Sequence, residues 1–258
     1  MRYIIIVSFF LVLTSCKEPV ATKYYNSGIK QEEGVLLSDS LKEGLWVSWY
    51  EDGSVKDSSY YVAHKLEGVS VSYFANGKIY GKGVYKNGLR EGEWKWWFEN
   101  GNLEELSNWE KGVAIDSSKL YYKDGTIHSE GMYYKGELTG KLKMYNRDGT
   151  LSEITTYIRG KKEGEAKLLY PNGKIEVLGY FENNRQHGTF REFYKTQELK
   201  SETEWKEGLK EGAYVAYKKN GAIWKKGQFT KGQKIGVWIE YDKDGAIFDK
   251  QEYEIIQQ

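Results

Sequence analysis

Apolar and polar residues alternate along most of the chain, and Asp-Gly or Asn-Gly pairs interrupt the alternation at regular intervals. After Gly53 an aliphatic residue, a small residue and an aromatic residue follow at Val55, Ser59 and Tyr61, and later units repeat this order. Side chains of a β-strand alternate between its two faces, so these positions share one face. The pattern therefore predicts strands with an aliphatic, small and aromatic face.

Two series of glycines define a 24-residue repeat. The first begins at Gly44 and is broken at Asp116, and the second begins at Gly53 and is broken at Gln197. Asn-Gly and Asp-Gly between strand-like runs are a strong hairpin signal, because type I′ turns need positive φ at both central residues. Each unit is thus predicted to be a strand, an Asp/Asn-Gly turn of type I′, a second strand and a second turn.

The repeat predicts an all-β chain with a simple organisation. Nine hairpin units cover residues 44–258, and residues 24–43 are a degenerate N-terminal cap repeat that is out of register. Nine hairpins give roughly 18 strands, and at about 4.8 Å per strand the sheet would be a rod about 85 Å long before twist.

The sequence motif of the repeat resembles that of a known family. Residues 44–53 run Gly-Leu-Trp-Val-Ser-Trp-Tyr-Glu-Asp-Gly, and residues 92–101 echo them. These motifs resemble the MORN-repeat family, in particular its bacterial variant, over essentially the whole mature chain. The resemblance implies an elongated, twisted antiparallel meander of hairpins. It also implies an antitoxin label, which bacterial proteins of this type often carry, and a repeat region without catalysis.

The first residues resemble an export signal. Arg2 precedes an apolar run over residues 4–13. A bilayer span needs about 20 apolar residues, so this run is too short for a permanent anchor. Leu13-Thr-Ser-Cys16 resembles a bacterial lipobox, which implies cleavage and a lipid on Cys16.

The leader also predicts localisation. Residues 1–15 are predicted to be a lipoprotein signal peptide, and residues 16–23 a tether that leads to a fold starting near Tyr24. The protein is expected to be lipid-anchored in the bacterial cell envelope. Lys17 stands where aspartate would suggest inner-membrane retention, which favours the outer membrane.

Composition narrows the functional class. There are 38 Lys and Arg against 37 Asp and Glu, so bulk charge gives no reason to expect a nucleic-acid partner. A single cysteine excludes an intrachain disulfide, and His64, His128 and His187 are too dispersed along a rod to form a metal site. The chain shows no phosphate loop and no nucleophile elbow. We therefore expect no enzyme activity, no cofactor and no metal.

Aromatic residues are the candidate binding groups. A second aromatic series lies four residues before the turn glycine, with Leu169 as the exception, and its rings are expected to cover the small residues. The main role predicted for the ladder is packing, with part of it left as an open groove. The candidate groove residues are Trp49, Tyr73, Trp97, Trp109, Tyr121, Tyr133 and Trp205.

Three functions are compatible with this pattern. The first is a membrane-anchored, non-catalytic scaffold that binds a protein in the envelope, in an antitoxin-like or immunity-like role. The alternatives are a carbohydrate-binding lipoprotein that uses the aromatic groove, and a structural spacer. The last strand, predicted over Ile247 to Ile256, leaves an edge open to another strand, although its charges disfavour such pairing.

Overall fold

A computed structural model describes residues 19–37 and 40–254, which form one sheet of 20 strands. Each strand pairs antiparallel with the strands before and after it in the chain, from β1–β2 to β19–β20. The strands are β1 (Val20–Tyr24), β2 (Lys30–Leu37), β3 (Leu41–Trp49), β4 (Val55–Val62), β5 (Lys65–Tyr73), β6 (Ile79–Lys86), β7 (Leu89–Trp97), β8 (Leu103–Glu110), β9 (Val113–Tyr121), β10 (Ile127–Tyr134), β11 (Glu137–Tyr145), β12 (Leu151–Ile158), β13 (Lys161–Leu169), β14 (Ile175–Glu182), β15 (Arg185–Phe193), β16 (Leu199–Lys206), β17 (Leu209–Tyr217), β18 (Ile223–Thr230), β19 (Gln233–Tyr241) and β20 (Ile247–Tyr253). The predicted all-β antiparallel meander of hairpins is confirmed. In the described ranges no helix is long and apolar enough to cross a bilayer.

The chain start differs from the predicted tether. The predicted signal peptide, residues 1–15, and Cys16 lie outside the described residues. Residues 20–23, assigned to the tether, instead form most of β1, where Val20 pairs with Val35. Pairing with β2 orders this segment although it lacks an alternating apolar pattern.

The first hairpin has the same long turn as the later ones, but its connection to β3 is one residue longer than theirs. Its Gly28 has φ +81°, and the Gly28 N–H donates to the Tyr25 carbonyl at 2.9 Å. Gly53 has φ +86° and makes the same bond to Tyr50 at 3.0 Å. Three residues, 38–40, join β2 to β3, whereas two residues join β4 to β5. This additional residue puts the cap out of register.

The two ends of the hairpins use different turns, and the predicted assignment of turn type is wrong. At the end called the long-turn edge, five residues join the strands, as in residues 50–54, and Gly53 has positive φ whereas Asp52 does not. Within these five residues, Tyr50 and Ser54 are hydrogen-bonded to each other, so residues 51–53 form a three-residue turn. The Asp52 carboxylate accepts the Ser54 N–H at 2.8 Å, which suits a turn of this kind closed by a glycine bulge. The opposite end, the short-turn edge, has two-residue turns such as Ala63-His64, with φ +46° and +68°. Type I′ turns therefore lie at the short-turn edge.

Both breaks in the glycine series keep the glycine backbone conformation. Asp116 has φ +54° and Gln197 has φ +88°, within the left-handed region that their glycine counterparts occupy. The Gln197 side-chain amide also donates to the Ile175 carbonyl of the preceding repeat at 2.8 Å. Neither break therefore interrupts the sheet.

Tyrosines link successive repeats along the long-turn edge. The Tyr50 hydroxyl donates to the Tyr73 carbonyl at 2.8 Å, one repeat further along the chain. Equivalent bonds run from Tyr25 to Trp49, Tyr122 to Tyr145, Tyr170 to Phe193 and Tyr194 to Tyr217. These bonds fasten five of the long turns to the repeat that follows.

Glutamates link repeats along the short-turn edge. The Glu67 carboxylate accepts the Asn87 N–H at 2.6 Å, and the Gly88 N–H donates to the Leu66 carbonyl at 2.8 Å. Glu43, Glu91, Glu163 and Glu211 accept the turn N–H of Ala63, Lys111, Asn183 and Lys231. These five glutamates thus cap the turns of the next hairpin.

Glu211 predicts a pH dependence of stability. Hydrogen bonds from the Lys231 backbone, first, and from the Thr230 hydroxyl hold the pKa of Glu211 below its ordinary value. Ionised Glu211 therefore stabilises the fold above the unfolded-state pKa of about 4.3, and this contribution is lost as pH falls through the lower folded-state pKa. We expect the urea midpoint of Glu211→Gln to change less than that of wild type as the pH falls from about pH 5 to pH 3.

The matched control for this prediction is Glu207→Gln, because Glu207 is exposed in the neighbouring short turn. The control should follow the wild-type pH profile. Equal pH profiles for wild type and Glu211→Gln would rule out the contribution of this carboxylate.

Candidate functional site

The buried aromatic side chains lie on one face of the sheet, here called face A. It is defined by Trp46, Ser59, Tyr61 and their equivalents at 24-residue intervals. Trp46 lies opposite Ser59 in the β3–β4 pair, and its ring centroid is 6.5 Å from that of Tyr61. The prediction that small and aromatic positions share a face agrees with this register. The prediction that the aliphatic position shares that face is wrong, because after a register shift Val55 pairs with Trp49, which lies an odd number of positions from Trp46. The opposite side of the sheet is called face B.

The middle row of face A has a longer period than the hairpins, because its pattern recurs only at every second unit. On even-numbered strands, glycine alternates with serine or threonine until Gln251, in the order Gly34, Ser59, Gly83, Ser107, Gly131, Thr155, Gly179, Thr203 and Gly227. On odd-numbered strands, a large residue alternates with a small one until Tyr214, in the order Trp46, Ser70, Trp94, Ser118, Leu142, Ala166, Phe190, Tyr214 and Trp238. The sheet is therefore built from pairs of hairpins, with a 48-residue period.

Large residues of this row cover glycines. A Cβ atom built on Gly83 would overlap the indole ring of Trp94, and the same holds for Gly227 beneath Trp238. Trp94 is only 5% exposed, and its indole N–H donates to the Val84 carbonyl at 3.1 Å. Where the covering residue is small, the strand beneath can carry a hydroxyl, as in the Ser59–Ser70 hydrogen bond of 2.7 Å. Large residues of this row thus lie over a glycine of the strand before, with the exception of Tyr214, which lies opposite Thr203.

Cations cover several of the rings. The Lys42 ammonium lies 4.0 Å from the Trp46 ring centroid, and the Lys234 ammonium lies 4.6 Å from that of Trp238. The Arg90 guanidinium lies 5.0 Å from Trp94 and 4.8 Å from Trp109. These distances are within the range of cation–π attraction. The cations therefore occupy ring surface that a ligand would otherwise use.

Three cavities lie on face A at the small positions of the row. The first is about 330 Å³ and surrounds Ser70, the second is about 440 Å³ and surrounds Ser118, and the third is about 390 Å³ and surrounds Ala166. These positions are four strands apart, which is about 19 Å at about 4.8 Å per strand. The fourth equivalent position is filled by Tyr214, which stacks on Trp238 at 5.4 Å.

The cavities differ in chemistry although they share a spacing. The first is lined by carboxylates and serines, among them Glu32, Asp57, Ser48, Ser59 and Ser72. The second is lined mainly by apolar groups, among them Trp109, Val113, Ile115 and Tyr133. The third combines Val177, Phe181 and Phe190 with the cations Lys162 and Lys210. One face thus presents three different surfaces in a fixed order.

The predicted groove residues do not form a single groove. Trp109, Tyr133 and Trp205 lie on face A, where each lines one of the cavities. Trp49, Tyr73, Trp97 and Tyr121 belong to the other aromatic series, which lies on face B. All seven side chains are half-buried.

Several contacts place the second aromatic series on face B. The Tyr145 hydroxyl donates to Glu130 at 2.8 Å, and Glu130 also accepts from Lys143 of the paired strand at 2.9 Å. Trp97 lines a separate cavity with Lys82 and Lys95. The prediction that these rings cover the small residues is therefore wrong, because they point away from face A.

The covering residues of face A were not recognised as a series from the sequence. Trp46, Trp94 and Trp238 stand outside both predicted aromatic series, and the large residues of their row alternate with small ones. Comparison of every second hairpin unit, rather than of successive units, is the signal that would have identified them.

The histidines are separated in the structure. His64 lies in a short turn, His128 packs edge-on against Tyr122 at 4.7 Å, and His187 lies 3.1 Å from Glu182. Among the residues that the structure describes, no three His, Cys, Asp or Glu side chains are grouped to hold a metal ion.

Comparison with protein-family models identifies the repeat. Residues 42–63, 66–87, 90–111 and 162–183 match the MORN repeat variant, and their starting points differ by multiples of 24. The chain thus contains repeats of the MORN variant in these four stretches. MORN repeats are non-catalytic modules that in general bind proteins or membranes.

Other comparisons add little to this assignment. No curated protein matches the chain. The crystal structures of TcdB2-TccC3-Cdc42 and TcdB2-TccC3 match at 10% and 11% identity, with TM-scores of 0.21 and 0.20. Each match covers 86% of this chain, which spans only 13% of the length of the matched chains.

Proposed function

We propose that the protein is a non-catalytic scaffold that binds a protein partner along face A and is tethered to a bacterial envelope membrane through a lipid on Cys16. The order of three different cavities at one spacing is the observation that carries the binding proposal. A regular sugar polymer presents the same groups at each step, whereas a polypeptide can present a different side chain to each cavity. Capture of a toxin within the envelope is a narrower form of the same function.

Carbohydrate binding has less support from the geometry. Sugar rings stack on free aromatic faces, but Trp46 is only 6% exposed and Trp94 only 5%. The Lys42 ammonium and the Arg90 guanidinium already lie over these two rings. The hydroxyl groups of the first cavity could bind a sugar, but the other two cavities do not repeat them.

Support for the tether is confined to the leader sequence, since Cys16 lies outside the described residues. The sheet begins at Val20, four positions after Cys16. Four extended residues span at most about 14 Å. The proposal therefore places β1 close to the membrane surface.

The binding proposal is tested by crosslinked purification of the full chain from its own cells, with mass spectrometry of the recovered proteins. Wild type is compared with Ala166→Tyr, which fills the third cavity, as Tyr214 does beside Thr203. Tyr180→Thr is the matched control, because Tyr180 is 47% exposed and pairs with Glu165, on face B. A stoichiometric protein should be lost from the first variant and kept by the control.

Recovery of the same protein with all three chains would contradict a face A site, and recovery of glycan alone would favour sugar binding. The tether is examined in the same cells with Cys16→Ser. After growth with radiolabelled palmitate, wild type should carry the label and this variant should not. Equal labelling of wild type and Cys16→Ser would refute the lipid anchor while leaving the face A proposal intact.

A further inference from the structure

The C-terminal edge of the sheet carries charged residues that match each other across a two-fold axis. β20 pairs with β19 on one side, and no strand of the described chain lies on its other side. It is seven residues long, contains no proline and leaves one row of backbone hydrogen-bonding groups open. A strand with these features can accept another strand unless its side chains prevent it.

Two oppositely charged side chains stand on face B of this strand. Lys250 and Glu252 are both exposed and lie two residues apart, so they share a face. Within the sheet they lie opposite Ile239 and Val237, which offer no charge. Their natural counterparts would be a glutamate and a lysine on a strand at the open side.

The interior of the sheet uses such pairs at two places on face B, whereas Lys82 faces Lys95 at a third. Arg191 and Glu202 are directly paired across β15 and β16, with a distance of 2.7 Å between guanidinium and carboxylate. Lys143 and Glu130 are directly paired across β10 and β11 at 2.9 Å. Opposite charges at facing positions stabilise an antiparallel pair, and like charges destabilise it.

We propose that β20 pairs with β20 of a second copy of this chain, with Gln251 on the two-fold axis. In this antiparallel register the residue numbers of each facing pair sum to 502. Lys250 then faces Glu252 of the other copy, Glu252 faces Lys250, and Gln251 faces Gln251. Asp249 faces Tyr253, so no like charges stand opposite each other among these positions.

The alternative registers are less favourable. Centring the axis on Lys250 would place two lysines opposite each other, which is destabilising. Pairing with β1 would place β20 against Val20–Tyr24, which offers Lys23 but no acid for Lys250. The dimer would be closed, because the open edge of each β20 is used and the C-terminal ends meet.

Cysteine crosslinking tests the register. In the full chain carrying Cys16→Ser, kept in mild detergent, Gln251→Cys should form an intermolecular disulfide. Facing Cα atoms in an antiparallel pair are about 4.5–5.5 Å apart, within the range that a disulfide spans. Asp249→Cys alone and Tyr253→Cys alone should not crosslink, whereas their mixture should.

Charge reversal tests the pairing by molar mass, measured with light scattering over a dilution series. The wild-type chain has a mass of 29.9 kDa and should approach twice that value as concentration rises. Lys250→Glu and Glu252→Lys should each raise the dimer dissociation constant about tenfold or more, because two attractive pairs become repulsive. A mixture of the two variants should regain dimer, since each then meets its opposite charge.

A monomer at every concentration would overturn the proposal, as would crosslinking of Asp249→Cys alone. Open-ended oligomers would show that β20 pairs with β1 instead. Equal dissociation constants for wild type and both charge variants would show that dimerisation uses another surface. These outcomes do not depend on binding along face A, and so they leave that proposal unaffected.

Discussion

Gly83→Ser is expected to destabilise the protein by about 1 to 3 kcal/mol, because overpacking a filled site forces neighbouring groups to move. The new Cβ would overlap the ring of Trp94, which is held by its hydrogen bond to the Val84 carbonyl. Trp94→Ser should cost a similar or larger amount, since loss of a buried tryptophan side chain costs about 3 to 5 kcal/mol. Urea unfolding followed by circular dichroism measures both effects.

The double variant Gly83→Ser, Trp94→Ser separates steric conflict from general damage. It recreates the Ser59–Ser70 arrangement of the preceding repeat. Its loss of stability should be smaller than the sum of the single losses by about 1 to 3 kcal/mol, as expected for residues in contact. Ser59→Ala is the control and should cost only about 1 kcal/mol, for one lost hydrogen bond. Simple additivity would mean that the ring does not restrict position 83.

Deleting one hairpin unit is expected to lower the melting temperature more than deleting two. Removal of positions 89–112 takes out a single unit, including Trp94, and places Ser118 next to Gly83. Removal of positions 89–136 takes out two successive units and places Leu142 next to Gly83, as Leu142 already stands next to Gly131. The longer deletion keeps the alternation of large and small residues, whereas the shorter one leaves a glycine without cover.

Length alone predicts the opposite order, because a repeat array gains stability from each added unit. Thermal unfolding of the three proteins therefore distinguishes a building unit of one hairpin from a building unit of two. A melting temperature that falls steadily with the number of units removed would show that the alternation of large and small residues does not contribute to stability.

The architecture was predictable because its signals are local. Turn glycines and alternating side chains recur at one spacing, so the hairpins and their order along the chain follow from neighbouring residues. The bounds at the chain start were less predictable, because β1 is ordered by backbone pairing with β2 rather than by an apolar pattern of its own.

Turn types were misassigned for a physical reason. A two-residue turn of type I′ needs positive φ at two residues, which Asn-Gly supplies, and this led to the prediction for Asp52-Gly53. The structure places this geometry at the two-residue turns, most of which carry glycine or asparagine at the second position, as in Asn87-Gly88. Both ends of the hairpins thus carry turn-forming residues, and the number of residues that connect the strands decides which turn type each end adopts.

The candidate site was predictable only in part. Trp109, Tyr133 and Trp205 were correctly taken as members of one aromatic row. Trp97 could not be assigned to the same groove by counting along one strand, because its face depends on the bulges that shift pairing between strands, as between Trp96 and Trp97. The alternation of large and small residues between successive hairpins became evident only when pairing showed which residues lie side by side.

The side-chain hydrogen bonds that link repeats along both edges bear on how the rod folds during synthesis. Side-chain hydrogen bonds of the described residues reach no further than 24 positions along the chain, as between Tyr25 and Trp49. Proteins with such low contact order fold fast, because little loop-closure entropy is lost before each contact forms. Every hairpin can therefore dock on the preceding one as soon as it leaves the ribosome or translocon. Each partly synthesised chain is then a shorter rod with an unpaired strand at its growing end, so synthesis and folding proceed in the same direction.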